Sequence, residues 1–106
     1  MAHRIIKTTS NIAAQKTIEH AQLRWQGELA YEVGPFSSAI YEVSFTKDIA
    51  QAPLVFYSIQ SNSESSSITN SYLIKRDAAC FQVLLENNRE EPAAGTLLYL
   101  AFVRQP

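Results

Sequence analysis

The residues best suited to chemistry lie in one short run, Glu86-Asn87-Asn88-Arg89-Glu90-Glu91. Amides and carboxylates bond readily to hydroxyl groups, and Arg89 adds a rigid fork of donors. Such a set suits a glycan. The same oxygens could meet a Ca²⁺ ion, but their spacing matches no EF-hand loop, and a solvated hairpin tip is the plainer reading. Trp25, Tyr31 and Tyr57 carry rings that can stack on sugar faces, although Trp25 suits a core or an interface better. The run Ser61–Ser67, SNSESSS, is either a second polar recognition loop or a plain linker. The candidate ligand-binding set is therefore Asn87, Asn88, Arg89, Glu90, Trp25 and Tyr57.

Reactive chemistry finds little footing. His3 and His20 are the only histidines, and no cysteine lies near either. A zinc site needs three or four ligands at set spacing, so no metal site and no cofactor is expected. Nucleophilic catalysis needs one serine activated in place. No serine is so marked, and G-x-S-x-G is absent. Cys80 is the only cysteine, which rules out an intrachain disulfide and fits a small apolar filler. No catalytic residue is assigned, and the chain reads as non-enzymatic.

Bulk properties narrow the class further. A chain of 106 residues fits one domain, residues 1–106, with 1–20 as a candidate lead-in or stalk. Its 46% hydrophobic and 18% charged content marks a globular protein. Net charge is −1 and the basic residues are scattered, which argues against nucleic acid as a partner. Met1–Lys7 lacks the apolar stretch of a signal peptide, and no apolar run is long enough to span a bilayer. A bacterial or viral cytoplasmic origin, or assembly inside a cell, suits a single cysteine better than eukaryotic secretion.

The elements that must position these residues read as strands. From Ala39 to Phe45, Tyr41, Val43 and Phe45 alternate with Glu42 and Ser44, the period of a half-buried strand. Pro53 suits the start of the next strand. Leu54–Ile59, LVFYSI, suggests a strand covered on both faces. Arg4–Thr9 is an edge strand or a lead-in. Ser10–Ala21 is ambiguous: a turn at Asn11–Gln15 and a strand Thr17–Trp25 are preferred to a short helix. Gly27 and Gly34 bracket a connection or a short strand around Leu29–Val33. Ile68–Lys75 is a strand with Ile68, Tyr72 and Ile74 in step, and Lys75–Ala78 is a turn. Cys80–Leu85 follows, with Phe81, Val83 and Leu85 on one face. Glu86–Gly95 is a marked turn.

Thr96–Arg104, TLLYLAFVR, closes the chain with apolar residues on both faces. Leu98, Leu100 and Phe102 are expected to fill the interior. Leu97, Tyr99, Ala101 and Val103 are expected to face out, as are Val55, Tyr57 and Ile59. A small sandwich has one interior, so copies of the chain are expected to cover the second face. The fold class is thus all-β, an antiparallel sandwich of six to eight short strands.

From Phe36 onward the order of features resembles the H-type lectin domain and the similar sandwiches at the C-terminal tips of bacteriophage tail fibres. The positions that carry the likeness are Phe45, the Ala52-Pro53 step, Leu54, Val55 and Ser58, then Phe81 and Val83. It spans about the last 70 residues. The resemblance implies a six-stranded antiparallel sandwich that assembles as a homotrimer. It further implies a receptor- or carbohydrate-binding head that meets a cell-surface glycan or protein, located in a virion tail. In the lectins the ligand, an N-acetylgalactosamine-type sugar, sits at the protomer boundary. Their last hairpin supplies aromatic and His contacts. Here that hairpin is Asn87–Glu91, without aromatics, and their cysteine pairing is missing, so the sugar specificity does not carry over. The alternative is a structural trimeric knob or decoration protein of a virion without a glycan site.

Overall fold

A computed structural model describes residues 4–10, 12–18, 21–45 and 52–104. It is all-β. Eight strands occur among these residues: β1 (Arg4–Ser10), β2 (Ile12–Ile18), β3 (Ala21–Val33), β4 (Ser37–Phe45), β5 (Leu54–Ser61), β6 (Asn70–Arg76), β7 (Cys80–Asn87) and β8 (Ala93–Arg104). They form two four-stranded sheets, ordered β1-β4-β7-β6 and β2-β3-β8-β5, packed face to face. Every pairing is antiparallel except β1 with β4, which is parallel.

The clearest alternations hold. Ala39, Tyr41, Val43 and Phe45 of β4 face inward, opposite Leu85, Val83 and Phe81 of β7, and all are buried. Rings join the two sheets. Trp25 of β3 stacks on Phe45 of β4 with centroids 4.3 Å apart, and Phe81 of β7 meets the edge of Tyr99 of β8 at 5.3 Å. Aromatic pairs of this kind add to the area they remove from water.

The closing strand has the opposite phase to the one expected. Leu97, Tyr99 and Ala101 are buried in the core, and Val103 packs against it. Leu98 and Leu100 face out, and Leu100 is 39% exposed. Phe102 also faces out but is covered by the edge of Phe56, 5.8 Å away. A strand apolar on both faces carries no phase of its own, and a one-residue slip exchanges its faces. The neighbours set it. Tyr99 pairs with Gly27, where any Cβ would stand 2.6 Å from the Tyr99 hydroxyl, so the ring occupies room that only glycine leaves.

β5 is corrected for the same reason. Val55, Tyr57 and Ile59 pack inward against the core, opposite Ala101, Tyr99 and Leu97. Leu54 and Phe56 are 39% and 58% exposed, so the strand is covered on one face only.

The N-terminal third differs too. Ile12–Gln15 lies in β2 where a turn was expected, and a register shift between Ile12 and Lys16 accounts for the irregular pattern. The expected strand Thr17–Trp25 is divided between β2 and β3. Gly27 sits inside the 13-residue β3, not at its border. The Arg4–Thr9 segment is an edge strand. Met1, Ala2, His3, Asn11, Glu19, His20, Thr46–Gln51, Gln105 and Pro106 lie outside the described residues.

β6 begins at Asn70, and its Lys75 and Arg76 belong to the strand, leaving Asp77–Ala79 as the turn. Asp77 Oδ1 accepts the backbone N–H groups of Ala79 and Cys80 at 2.8 and 2.9 Å. These bonds hold its carboxyl below the usual carboxylate range.

The outer face of the β1-β4-β7-β6 sheet carries a polar row, Lys7–Glu42–Gln82–Lys75, from strand to strand. Glu42 Oε1 accepts from Gln82 Nε2 at 2.6 Å, and Lys7 Nζ lies 3.7 Å from Oε2. The Gln82 bond first, then the lysine charges, lower the Glu42 pKa against a burial that raises it. A carboxyl lowered on folding stabilises the fold above its unfolded pKa and ceases to do so as pH falls through the folded value. Thermal melts from about pH 5 down to about pH 2.5 should therefore show falling stability. Glu42→Gln should flatten part of that fall, to which the lowered Asp77 carboxyl also contributes. A slope in E42Q identical to the unmutated chain would remove Glu42 from this role.

Candidate binding site

Three connections meet at one end of the sandwich: the β3–β4 turn, the segment after β5, and the β7–β8 hairpin. Asn87 joins the first to the last. Its Nδ2 donates to the carbonyls of Val33 (3.3 Å), Gly34 (3.1 Å) and Glu91 (2.8 Å), and its Oδ1 accepts the Arg89 N–H at 3.1 Å. The residue is fully buried. Arg89 joins the hairpin to the middle connection. Nη1 donates to the Glu64 carbonyl at 3.1 Å and to Ser67 Oγ at 2.9 Å. The Asn88 N–H donates to Thr69 Oγ1, and the Thr69 N–H to the Glu86 carbonyl, each at 2.9 Å.

The serine run is therefore ordered rather than a plain linker. Glu64–Ser66 form one 3₁₀ turn, closed by reciprocal bonds between Ser63 and Ser66. These bonds hold the loop as one unit with the hairpin.

The β3–β4 turn presents Phe36. Its N–H donates to the Arg89 carbonyl at 3.2 Å, its φ is 49°, and it is 60% exposed. It is the one non-glycine residue with positive φ among those described. A bulky residue in this region is a genuine outlier, costing about 1–2 kcal/mol. The position after proline in such a turn ordinarily holds glycine. An exposed aromatic held there by its neighbours is the kind of strain found at binding sites.

The six residues read from the sequence separate in space. Asn88 and Glu90 are exposed at this loop end, and their side chains make no hydrogen bond or ion pair among the described residues. Arg89 is half-buried and committed to Glu64 and Ser67, with Nη2 3.7 Å from Glu91. Asn87 holds backbone and is closed to ligand. Trp25 is fully buried, and Tyr31 is 3% exposed, so neither ring can take a sugar. Tyr57 lies half-buried between the sheets, its hydroxyl 3.2 Å from Ser71 Oγ.

Phe36 was missed in the sequence. Its one signal was the Gly34-Pro35 step, which marks a turn but points to Gly34 as the unusual residue, and Gly34 has no positive φ. Among the described residues, no three His, Cys, Asp or Glu side chains gather to hold a metal ion.

A second feature lies on the outer face of the β2-β3-β8-β5 sheet. It is a trough of about 510 Å³ whose walls are Gln26 and Glu28 on one side and Phe56 and Ser58 on the other, with Leu98 and Leu100 below. Comparison with protein-family models, with curated proteins and with solved structures finds no match.

Proposed function

We propose that this chain is a non-enzymatic receptor- or carbohydrate-binding head, of the kind carried at the tip of a phage tail fibre, and that it works as a homotrimer. The observation that carries this reading is Phe36, an exposed ring held at φ 49° on a loop end stiffened by hydrogen bonds. Its ring offers an apolar platform for the C–H face of a sugar. Asn88 and Glu90 beside it offer an amide and a carboxylate to hydroxyls. A trimer would present this end three times, so that weak single contacts gain from multivalency. No nucleic acid or membrane insertion enters the reading. No helix of the described residues is long and apolar enough to cross a bilayer.

A structural knob of a virion is the second reading. It is favoured by the use of Asn87 and Arg89, which serve the fold and not a ligand. A glycan array and adsorption to host cells, both with the purified chain, separate the two. Reproducible binding supports the head, and none at high concentration supports the knob.

Phe36→Gly tests the carrying residue. Glycine adopts positive φ freely, so relief of strain should offset the lost side chain and leave stability within about 1 kcal/mol. Binding should weaken about tenfold or more. Unchanged binding would dismiss Phe36 as a contact.

A further inference from the structure

We infer that the trough on the outer face of the β2-β3-β8-β5 sheet is a second ligand site, built for a neutral oligosaccharide. The inference rests on the carbohydrate-binding reading and adds to it a contact surface that does not include Phe36. Exposed apolar residues alone do not distinguish this face, since the opposite one carries its own row, Ile5–Ile40–Leu84–Tyr72. The difference lies in the polar groups. On the opposite face they are spent on one another: Glu42 accepts from Gln82 and lies beside Lys7. In the trough they are not. Two rows cross it from strand to strand, Gln26–Leu100–Phe56 and Glu28–Leu98–Ser58. Gln26, Glu28 and Ser58 are exposed, and their side chains make no hydrogen bond or ion pair among the described residues.

A pyranose ring has the same two-sided character: C–H bonds on its faces and hydroxyls around its rim. Phe56 offers a surface to the C–H face. It is 58% exposed, and the edge contact with Phe102 at 5.8 Å holds its ring. Leu98 and Leu100 continue that surface along the floor. The Gln26 amide, the Glu28 carboxylate and the Ser58 hydroxyl supply donors and acceptors to the rim. A wholly apolar occupant would strip water from these three groups without replacing it, which is costly. The β3 and β5 walls stand about 10 Å apart across β8, twice the spacing of neighbouring strands. The volume of about 510 Å³ lies within the roughly 300–1,000 Å³ of small-ligand sites, which suits a short oligosaccharide. Charge narrows the class. No Lys, Arg or His lines the trough, and Glu28 is the one charged residue among those that do. A carboxylated sugar would meet a like charge and no cation, so neutral glycans are preferred.

The test puts the whole chain on an array of matched neutral and sialylated glycans. The neutral glycan with the strongest signal is then titrated into chain labelled at its leucine methyl groups. The Leu98 and Leu100 methyl resonances should shift, while those of Leu84, on the opposite face, stay constant. Phe56→Ala removes an exposed ring and should weaken binding of that glycan about tenfold or more. Tyr72→Ala, on the opposite face, is the control and should change it less than about threefold. Glu28→Gln keeps an acceptor and removes the charge, so the preference for neutral over sialylated glycans should shrink about threefold or more. A bound glycan that leaves Leu98 and Leu100 unmoved, or binds F56A at full strength, overturns the trough site and leaves the head reading standing. Sialylated glycans bound as tightly as their neutral counterparts overturn the ligand class. An array with no glycan bound at high concentration overturns both the site and the carbohydrate-binding reading.

Discussion

Gly95→Ala should unfold the protein or cost more than about 4 kcal/mol, the largest effect expected from any single methyl group in the chain. Gly95 pairs with Tyr31 on β3 and Ser61 on β5. A Cβ there would be driven into the Gln60 carbonyl oxygen, and would stand 2.6 Å from the Tyr31 hydroxyl and 2.8 Å from the Ser61 Cα. Two of these obstacles are backbone, which moves only if β5 leaves the sheet. The damage would reach the loop end, because the Asn62 N–H donates to the Ala94 carbonyl at 2.9 Å and starts the segment that Arg89 grips. The other glycines calibrate the effect. At Gly27 the obstacle is the Tyr99 ring, a side chain that can shift partway. At Gly34 the nearest atom is Ser37 Oγ at 3.7 Å, an ordinary contact. Urea unfolding should rank the alanine variants Gly95 far worst, Gly27 intermediate, Gly34 near neutral. A Gly95→Ala chain as stable as G34A would mean that β5 and β8 do not meet as described.

Trp25→Ala should cost about 3–5 kcal/mol, the range for removing a large buried aromatic. The ring is fully enclosed and stacks on Phe45, which in turn approaches Phe81 at 6.0 Å. Its loss opens a cavity where the two sheets are joined, and the melting temperature should drop by more than about 10 °C. Ligand affinity per folded molecule should stay unchanged, since Trp25 is nowhere near solvent. A variant that kept its stability but lost binding would reverse this assignment and return Trp25 to the ligand site.

Trp25 shows where sequence reasoning stops. Its type suits both a sugar platform and a core, and only the pairing of β3 with β8 decides between them. One-sided strands such as β4 and β7 declared their phase through alternating Glu42 and Gln82. β8 and β5, oily on both faces, did not, and their phase follows from the room left at Gly27. The surplus of apolar side chains on β5 and β8 was legible nonetheless. The excess apolar surface is present, but on Leu54, Phe56, Leu98 and Leu100 instead of Leu97, Tyr99 and Val103. At the loop end, the polar hairpin was visible as a turn. The roles of its members were not, because Asn87 acts on Val33 and Gly34, and Arg89 on Glu64, all distant in the chain. Local pattern carries no trace of such long-range bonds.

The proposed function depends most on association of copies of the chain. Sedimentation equilibrium of the unmutated chain at micromolar concentration addresses this directly. A single species of about three times the 11.9 kDa chain mass is the expected result. A single species of 11.9 kDa that persists to the highest soluble concentration would contradict it.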